Sequence, residues 1–131
     1  MHLIDTCICI DILRGSSPQV PARFRAAMDS GVAVSSITAA ELHHGLARGN
    51  RSERNRRGLE NFLGSVRVLP FGEKAAEAYG IVRYYLEHRG NVIGPYDLLI
   101  AAHAIAENAV LVTSNTREFK RVPTLELSDW R

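Results

Sequence analysis

Five short apolar runs alternate along this chain with stretches whose apolar residues recur every three or four positions. That alternation constrains the fold more than any other feature. "HLI" near the start, "VAV" at 32–34, "VRVL" at 66–69, "AVLVT" at 109–113 and "TLEL" at 124–127 read as strands. "AVLVT" is a continuous branched run, the pattern of a strand covered on both faces, whereas "TLEL" alternates and predicts a late edge strand. Between them Ala39, Leu42 and Leu46 keep helical spacing, as do Ala75, Tyr79, Val82 and Leu86, and then Leu98, Ala102 and Ile105. Gly15, Gly31, Gly49 and Gly90 stand where such helices should stop. Strand, helix, strand, helix in this rhythm predicts an α/β fold with a parallel sheet covered by helices on both faces. With 131 residues and no repeat, low-complexity tract or linker, the chain predicts a single domain over 1–131.

Several function classes are excluded early. Apolar residues make up 46% and charged ones 23%, an ordinary globular balance, and no window approaches the roughly 18 consecutive apolar residues of a membrane span. "MHLIDTCICIDILRG" carries Asp5 and Asp11 and lacks a basic start and a small-residue cleavage site, so it is not expected to be a signal peptide. Cys7 and Cys9 form a lone C-x-C, too close to staple a fold and without the second ligand pair of a structural zinc site. They read as small apolar residues of a protein in the reducing cytoplasm. His43 and His44 are adjacent and point to different helix faces, and there is no H-E-x-x-H, so zinc is not expected.

The formal charge of +2 hides an asymmetry: of 16 basic residues only Lys74 and Lys120 are lysine. Five arginines, Arg48, Arg51, Arg54, Arg56 and Arg57, crowd "RGNRSERNRR". Such a run is either a solvated helix face or exposed loop, or a surface for phosphate or an acidic partner, to which the planar guanidinium is well suited.

Against this background the stretch "IGPYDLLIAAH" is unusual, because it puts one acid, Asp97, at the mouth of an apolar helix. If Gly94 caps that helix and Pro95 takes its first turn, Asp97 is the third helical residue. Asp5 directly follows the first strand, Glu41 falls at a helix start just after the second, and Asn115 follows the fourth in "LVTSNTREF". In open α/β sheets the carboxyl ends of the strands form the crevice where ligands bind. Each residue also has a local explanation. Asp97 would favour the positive end of its helix, Asp5 could cap the helix from Thr6, Thr38 and Glu41 fit a T-x-x-E capping box, and Asn115 suits a turn. None of these explains convergence at one sheet edge. Converging carboxylates repel unless a cation neutralises them, and oxygen donors of this kind suit Mg²⁺ or Mn²⁺.

Four ordered segments, "LIDTCICIDILRG", "SSITAAELHHGLARG", "GPYDLLIAAHA" and "LVTSNTREFKRVPTLEL", together resemble the PIN-domain family, and within it the VapC toxins of bacterial toxin–antitoxin pairs. The resemblance spans essentially the whole chain. It implies a three-layer α/β/α domain with a mostly parallel sheet of four to five strands, a homodimer, and RNA cleavage with Mg²⁺ or Mn²⁺. It also implies a cognate antitoxin, through which alone the toxin would meet DNA, and transfer RNAs among the targets. Asp5, Glu41 and Asp97 would be the metal-binding acids, with Thr6 and Thr113 as supporting residues. Two positions depart from the family pattern: Cys7 stands where asparagine is common, and Asn115 where many PIN domains carry a fourth acid.

In this reading the ion lowers the pKa of a water and stabilises charge on the phosphate, and the arginine cluster guides the RNA backbone. Glu118, three residues past Asn115, could reach back to supply the missing charge, or could instead pair with Arg121 at the surface. Two rival readings remain open from residues alone. One is a PIN-like interaction module that has lost activity. The other is a phosphatase of the haloacid-dehalogenase type acting through an aspartyl-phosphate at Asp5, although Cys7 stands where such an enzyme wants a second acid.

Overall fold

The first apolar run becomes β1, His2–Ile4, in a computed structural model that describes residues 1–49 and 51–131. β1 hands over at Asp5 to α1, Thr6–Arg14, because the Asp5 carboxylate accepts the Ile8 amide at 3.0 Å and caps the helix. Gly15 closes α1 at φ 64, a left-handed turn that glycine adopts without a Cβ clash. α2, Gln19–Ala27, and a 3₁₀ turn at Met28–Ser30 lead to β2, Val32–Ser35. Then follow α3 over Ser36–Arg48, α4 over Glu53–Ser65 and β3 over Arg67–Leu69. The chain ends with α5 over Glu73–His88, α6 over Pro95–Ala106, β4 over Val110–Val112, α7 over Thr116–Phe119 and β5 over Leu127–Ser128.

The sheet has five strands in the order β3-β2-β1-β4-β5, and every pairing is parallel. Period-two alternation divides the core. Leu3, Ala33 and Leu111 face Val82 and Leu86 of α5 and Leu98, Ile100 and Ala101 of α6. Ile4, Val32, Val34 and Val112 face Ile8 of α1, Val20 of α2, Leu42 of α3, and Leu59 and Phe62 of α4. The result is the three-layer α/β/α arrangement expected from the sequence. Each fully buried aliphatic chain here contributes roughly 1.5–3 kcal/mol. Leu111, wholly buried in the central strands, would cost about 2–5 kcal/mol if cut back to alanine.

Two expectations need correction. The last strand is not "TLEL": only Leu127 and Ser128 pair with β4. Thr124 is held at φ 65 in the turn after Pro123, a conformation no strand residue adopts. The T-x-x-E capping box does not form either. Ser35 caps α3, its hydroxyl accepting the Ile37 amide at 3.0 Å. Thr38 and Glu41 therefore lie inside the helix, with Glu41 in its second turn rather than at its start.

Candidate active site

The sheet order reverses direction between β1 and β4, which opens a crevice beyond their carboxyl ends. Asp5 sits at that point. Its amide donates to the Val112 carbonyl at 3.0 Å, and its side chain is only 3% exposed. Thr113, fully buried, follows β4 and accepts the Asn115 amide at 3.0 Å. Burial raises the Asp5 pKa; the Thr113 hydroxyl and the Ile8 amide oppose the rise, and the charge of Glu41 adds to it.

Glu41 reaches the same place from α3. The Thr6 hydroxyl donates to Glu41 Oε1 at 2.6 Å and lies 3.4 Å from the Thr38 hydroxyl, tying the start of α1 to α3. Asp97 comes from α6, where Gly94 is the cap and Pro95 opens the first turn as expected. Its carboxyl is pushed up to about 6, first by burial and then by the charges of Glu118, Asp5 and Glu41. Glu118, Asp5 and Glu41 thus each lie within electrostatic reach of Asp97.

Glu118 belongs to the same rim. Its two carboxylate oxygens accept the Gly94 amide at 2.8 Å and the Asn115 side-chain amide at 2.9 Å, and these bonds hold its pKa low. A Cβ at Gly94 would lie 3.6 Å from Asp97 Oδ2 and 3.7 Å from Glu118 Oε1, so the two carboxylates flank one glycine. The surface pair with Arg121 is not made: Arg121 donates instead to the Val92 carbonyl at 3.3 Å. Asn115 leads into α7 without capping it by its side chain.

The arginine run divides. Arg56 pairs with Glu53 and Glu60, and Arg57 with Glu53, all within α4. Arg48, Arg51 and Arg54 are exposed and carry no ion pair among the described residues. Two polar contacts had no signal in local spacing. Arg131 grips Asp11 across 120 positions, and His103 Nδ1 lies 2.8 Å from the Ser35 hydroxyl across 68. Only the three-dimensional fold brings these partners together.

The donor set fits a hard divalent cation, being all oxygen, acid-rich and mutually repelling. Among the described residues no three His, Cys, Asp or Glu side chains stand close enough to enclose an ion by themselves. An ion here would therefore rest on one or two carboxylates, Asp5 and Asp97 foremost, and complete its shell with water. That is the usual habit of Mg²⁺.

Residues 2–125 match the PIN domain family. The chain is 40% identical over 131 residues to Ribonuclease VapC2 of Rickettsia felis, covering 99% of this chain and 98% of that one. It is 36% identical over 129 residues to the tRNA(fMet)-specific endonuclease VapC of Shigella flexneri, covering 98% and 96%. Among solved structures, VapBC2 from Rickettsia felis bound to a promoter DNA fragment superimposes with a TM-score of 0.93 at 37% identity, over 99% of this chain and 98% of that one. VapBC-1 from nontypeable Haemophilus influenzae does so with a TM-score of 0.89 at 33% identity, over 98% and 97%. These matches leave the aspartyl-phosphate phosphatase without support, and the chain belongs to the PIN-domain family, among the VapC ribonucleases.

Proposed function

We propose that this chain is a single-domain, divalent-metal-dependent endoribonuclease, the toxin of a toxin–antitoxin pair, with Mg²⁺ or Mn²⁺ as its ion. The observation that carries the reading is the acid cluster at the sheet's switch point, where Asp97 is raised to about 6 by burial and by three neighbouring carboxylates. Asp5 and Asp97 would hold the ion. Glu41, aligned by the Thr6 hydroxyl, would orient the attacking water, and Thr113 would keep Asp5 in place. Asn115 and Glu118 complete the rim, Glu118 by fixing the Gly94 turn from which α6 starts. When bound, the ion lowers the pKa of water and offsets charge developing on the phosphate. In-line attack then leaves a 5′-phosphate and a 3′-hydroxyl.

Arg48, Arg51 and Arg54, together with Arg56 and Arg57, would guide the RNA backbone, an attraction that weakens with salt. Transfer RNA is the proposed substrate class, supported by the tRNA(fMet) specificity in the name of the Shigella relative. A cognate antitoxin is the proposed partner, since the solved neighbours are VapBC assemblies, and DNA would be met only through that complex. The chain would act in the cytoplasm as a homodimer, for which exposed Ile81 and Tyr84 on α5 offer apolar surface; no described helix is long and apolar enough to cross a membrane.

Purified protein should cut RNA, lose that activity in chelator and regain it with millimolar Mg²⁺ or Mn²⁺. Cleavage unaffected by chelator would refute the metal mechanism. The inactive interaction module would be favoured instead if no RNA were cut while an antitoxin complex still formed.

A further inference from the structure

α6 is apolar or aromatic along its length except at two places, the acid Asp97 in its first turn and the base His103 under two turns later. The proposed mechanism uses the acid and leaves the base without a role. His103 is 1% exposed, flanked along the helix by the buried Ala102 and Ala104. Burying an imidazole costs free energy wherever a ring nitrogen stays unpaired, and Nε2 has no hydrogen-bond partner among the described residues. A leucine would fill this space without that cost. Packing alone therefore does not account for the ring, and what it has that leucine lacks is a directional bond.

Nδ1 and the Ser35 hydroxyl share that bond at 2.8 Å, in the interior. Ser35 is the cap of α3, its oxygen also accepting the Ile37 amide. The next residue ties in a third segment. Ser36 Oγ accepts the Phe71 amide at 3.0 Å, and the Phe71 ring meets the imidazole edge-on with centroids 5.5 Å apart. His103 is thus held at the joint between α6, the start of α3 and the loop from β3 to α5. α3 and α6 pack against each other, and each carries one acid of the crevice. From the joint, Asp97 stands six residues back along α6 and Glu41 six residues forward along α3, about 9 Å in each case. Close-packed helices transmit displacement rather than absorb it, so a bond fixed at one end of such a pair governs sliding at the other.

We propose that His103 is a positioning residue of the metal site: its bond to Ser35 locks α6 in register with α3 and so holds Asp97 and Glu41 at the separation a divalent cation needs. The assignment rests on the metal-dependent ribonuclease reading above. His103 touches neither the ion nor the RNA, so its loss should weaken metal binding and leave RNA binding as it is.

The experiment titrates Mn²⁺ calorimetrically into the metal-free protein, well below the melting temperature of every variant, and follows RNA cleavage across the same metal range. Two substitutions separate the bond from the packing. His103→Leu fills the space but cannot bond to Ser35, whereas His103→Asn can offer a side-chain amide to the hydroxyl but leaves a cavity. His103→Leu should weaken Mn²⁺ binding about tenfold, the low end of what partners outside a metal shell contribute, and His103→Asn should recover most of it whatever its melting temperature. The metal needed for half-maximal cleavage should rise by the same factor in His103→Leu, with the KM for RNA at saturating metal unchanged. Ser35→Ala should weaken Mn²⁺ binding to a similar extent, and the double variant with His103→Leu no further, since both remove one contact. Wild-type Mn²⁺ affinity in His103→Leu would overturn the assignment, as would affinities that follow the melting temperatures of the variants rather than the bond. If His103→Leu does not fold, wild-type affinity in Ser35→Ala would overturn it instead. A wild-type protein that bound no Mn²⁺ would overturn the metal-dependent reading, and this assignment with it.

Discussion

His103 of α6 and Ser35 at the cap of α3 stand 2.8 Å apart, Nδ1 to Oγ, wholly inside the protein. The Ser35 oxygen also accepts the Ile37 amide, and the direction of its bond with Nδ1 follows the tautomer of the imidazole. Nε2 has no hydrogen-bond partner among the described residues and lies 3.8 Å from Glu107 Oε1. The contact joins the helix that carries Asp97 to the helix that carries Glu41.

Removing the tie should loosen both helices. His103→Leu is expected to cost about 1–3 kcal/mol, the scale of a buried polar partner left unpaired, and to lower the melting temperature by several degrees. Burial lowers the His103 pKa, so its contribution to stability is present above the unfolded value of about 6.5 and is lost as pH falls from there through the lower folded value. Thermal melts of wild type and His103→Leu from pH 5 to 8 should show the gap between them narrowing toward acid. A constant gap would mean that the ring does not titrate differently on unfolding.

Asp97→Asn separates stability from function. Its folded pKa of about 6 lies above the ordinary 3.8. The wild-type metal-free protein therefore loses stability as pH rises between those values, and the loss is complete above about 6. At pH 7 the variant should be as stable as wild type or more so, by on the order of 1 kcal/mol, with the advantage gone near pH 4. Cleavage should fall a hundredfold or more, roughly the effect of removing a group that stabilises developing charge. Millimolar Mg²⁺ should raise the wild-type melting temperature by mass action and raise that of the variant much less. A variant that cut RNA normally would remove Asp97 from the metal site.

Asp5 has two roles that chemistry can separate. Asparagine caps helices as well as aspartate does, so Asp5→Asn should retain the bond to the Ile8 amide and the fold while abolishing cleavage. Asp5→Ala should abolish cleavage and also cost about 1 kcal/mol of stability through the lost cap. If Asp5→Asn retained full activity, Asp5 would be a cap alone.

Glu118→Gln keeps a side chain able to accept the Gly94 amide, and Asn115 can turn its carbonyl toward the new amide. What disappears is the charge, the second cause of the raised pKa at Asp97 after burial. The Asp97 carboxyl should therefore titrate below about 6, as followed by carbon NMR of the side chain. Cleavage should drop at limiting metal, recover in part as metal is raised, and suffer less in the double variant with Asn115→Asp. An unmoved Asp97 titration together with wild-type activity across the metal series would place Glu118 outside the site's electrostatics.

Much of this architecture was legible without coordinates because it is written in local periodicities. The strands at His2–Ile4, Val32–Ser35, Arg67–Leu69 and Val110–Val112 coincide with apolar runs, and α5 and α6 with three-to-four spacing. Gly94, Pro95 and Asp97 fell into the cap, first and third positions expected of them. α2 and α4 were harder to read. Pro21 stands in the first turn of α2, where the ring is tolerated, and in α4 only Leu59 and Phe62 are buried, so almost no apolar stripe betrays the helix. The T-x-x-E pattern misled because a capping box needs a helix end. Ser35, at the end of β2, had already started α3 three residues earlier.

Spacing and the direction of parallel strands account for the first four strands, for the parallel sheet, and for Asp5, Asp97 and Asn115 standing where strands or loops hand over to helices. What each acid faces is set by contacts in three dimensions. Glu118 binds Gly94 and Asn115 rather than Arg121, Glu41 takes the Thr6 hydroxyl, and Arg131 crosses the fold to Asp11. Hydrogen-bond partners are chosen over a few ångströms in space, a scale on which separations of 24, 35 and 120 positions along the chain leave no trace in local pattern.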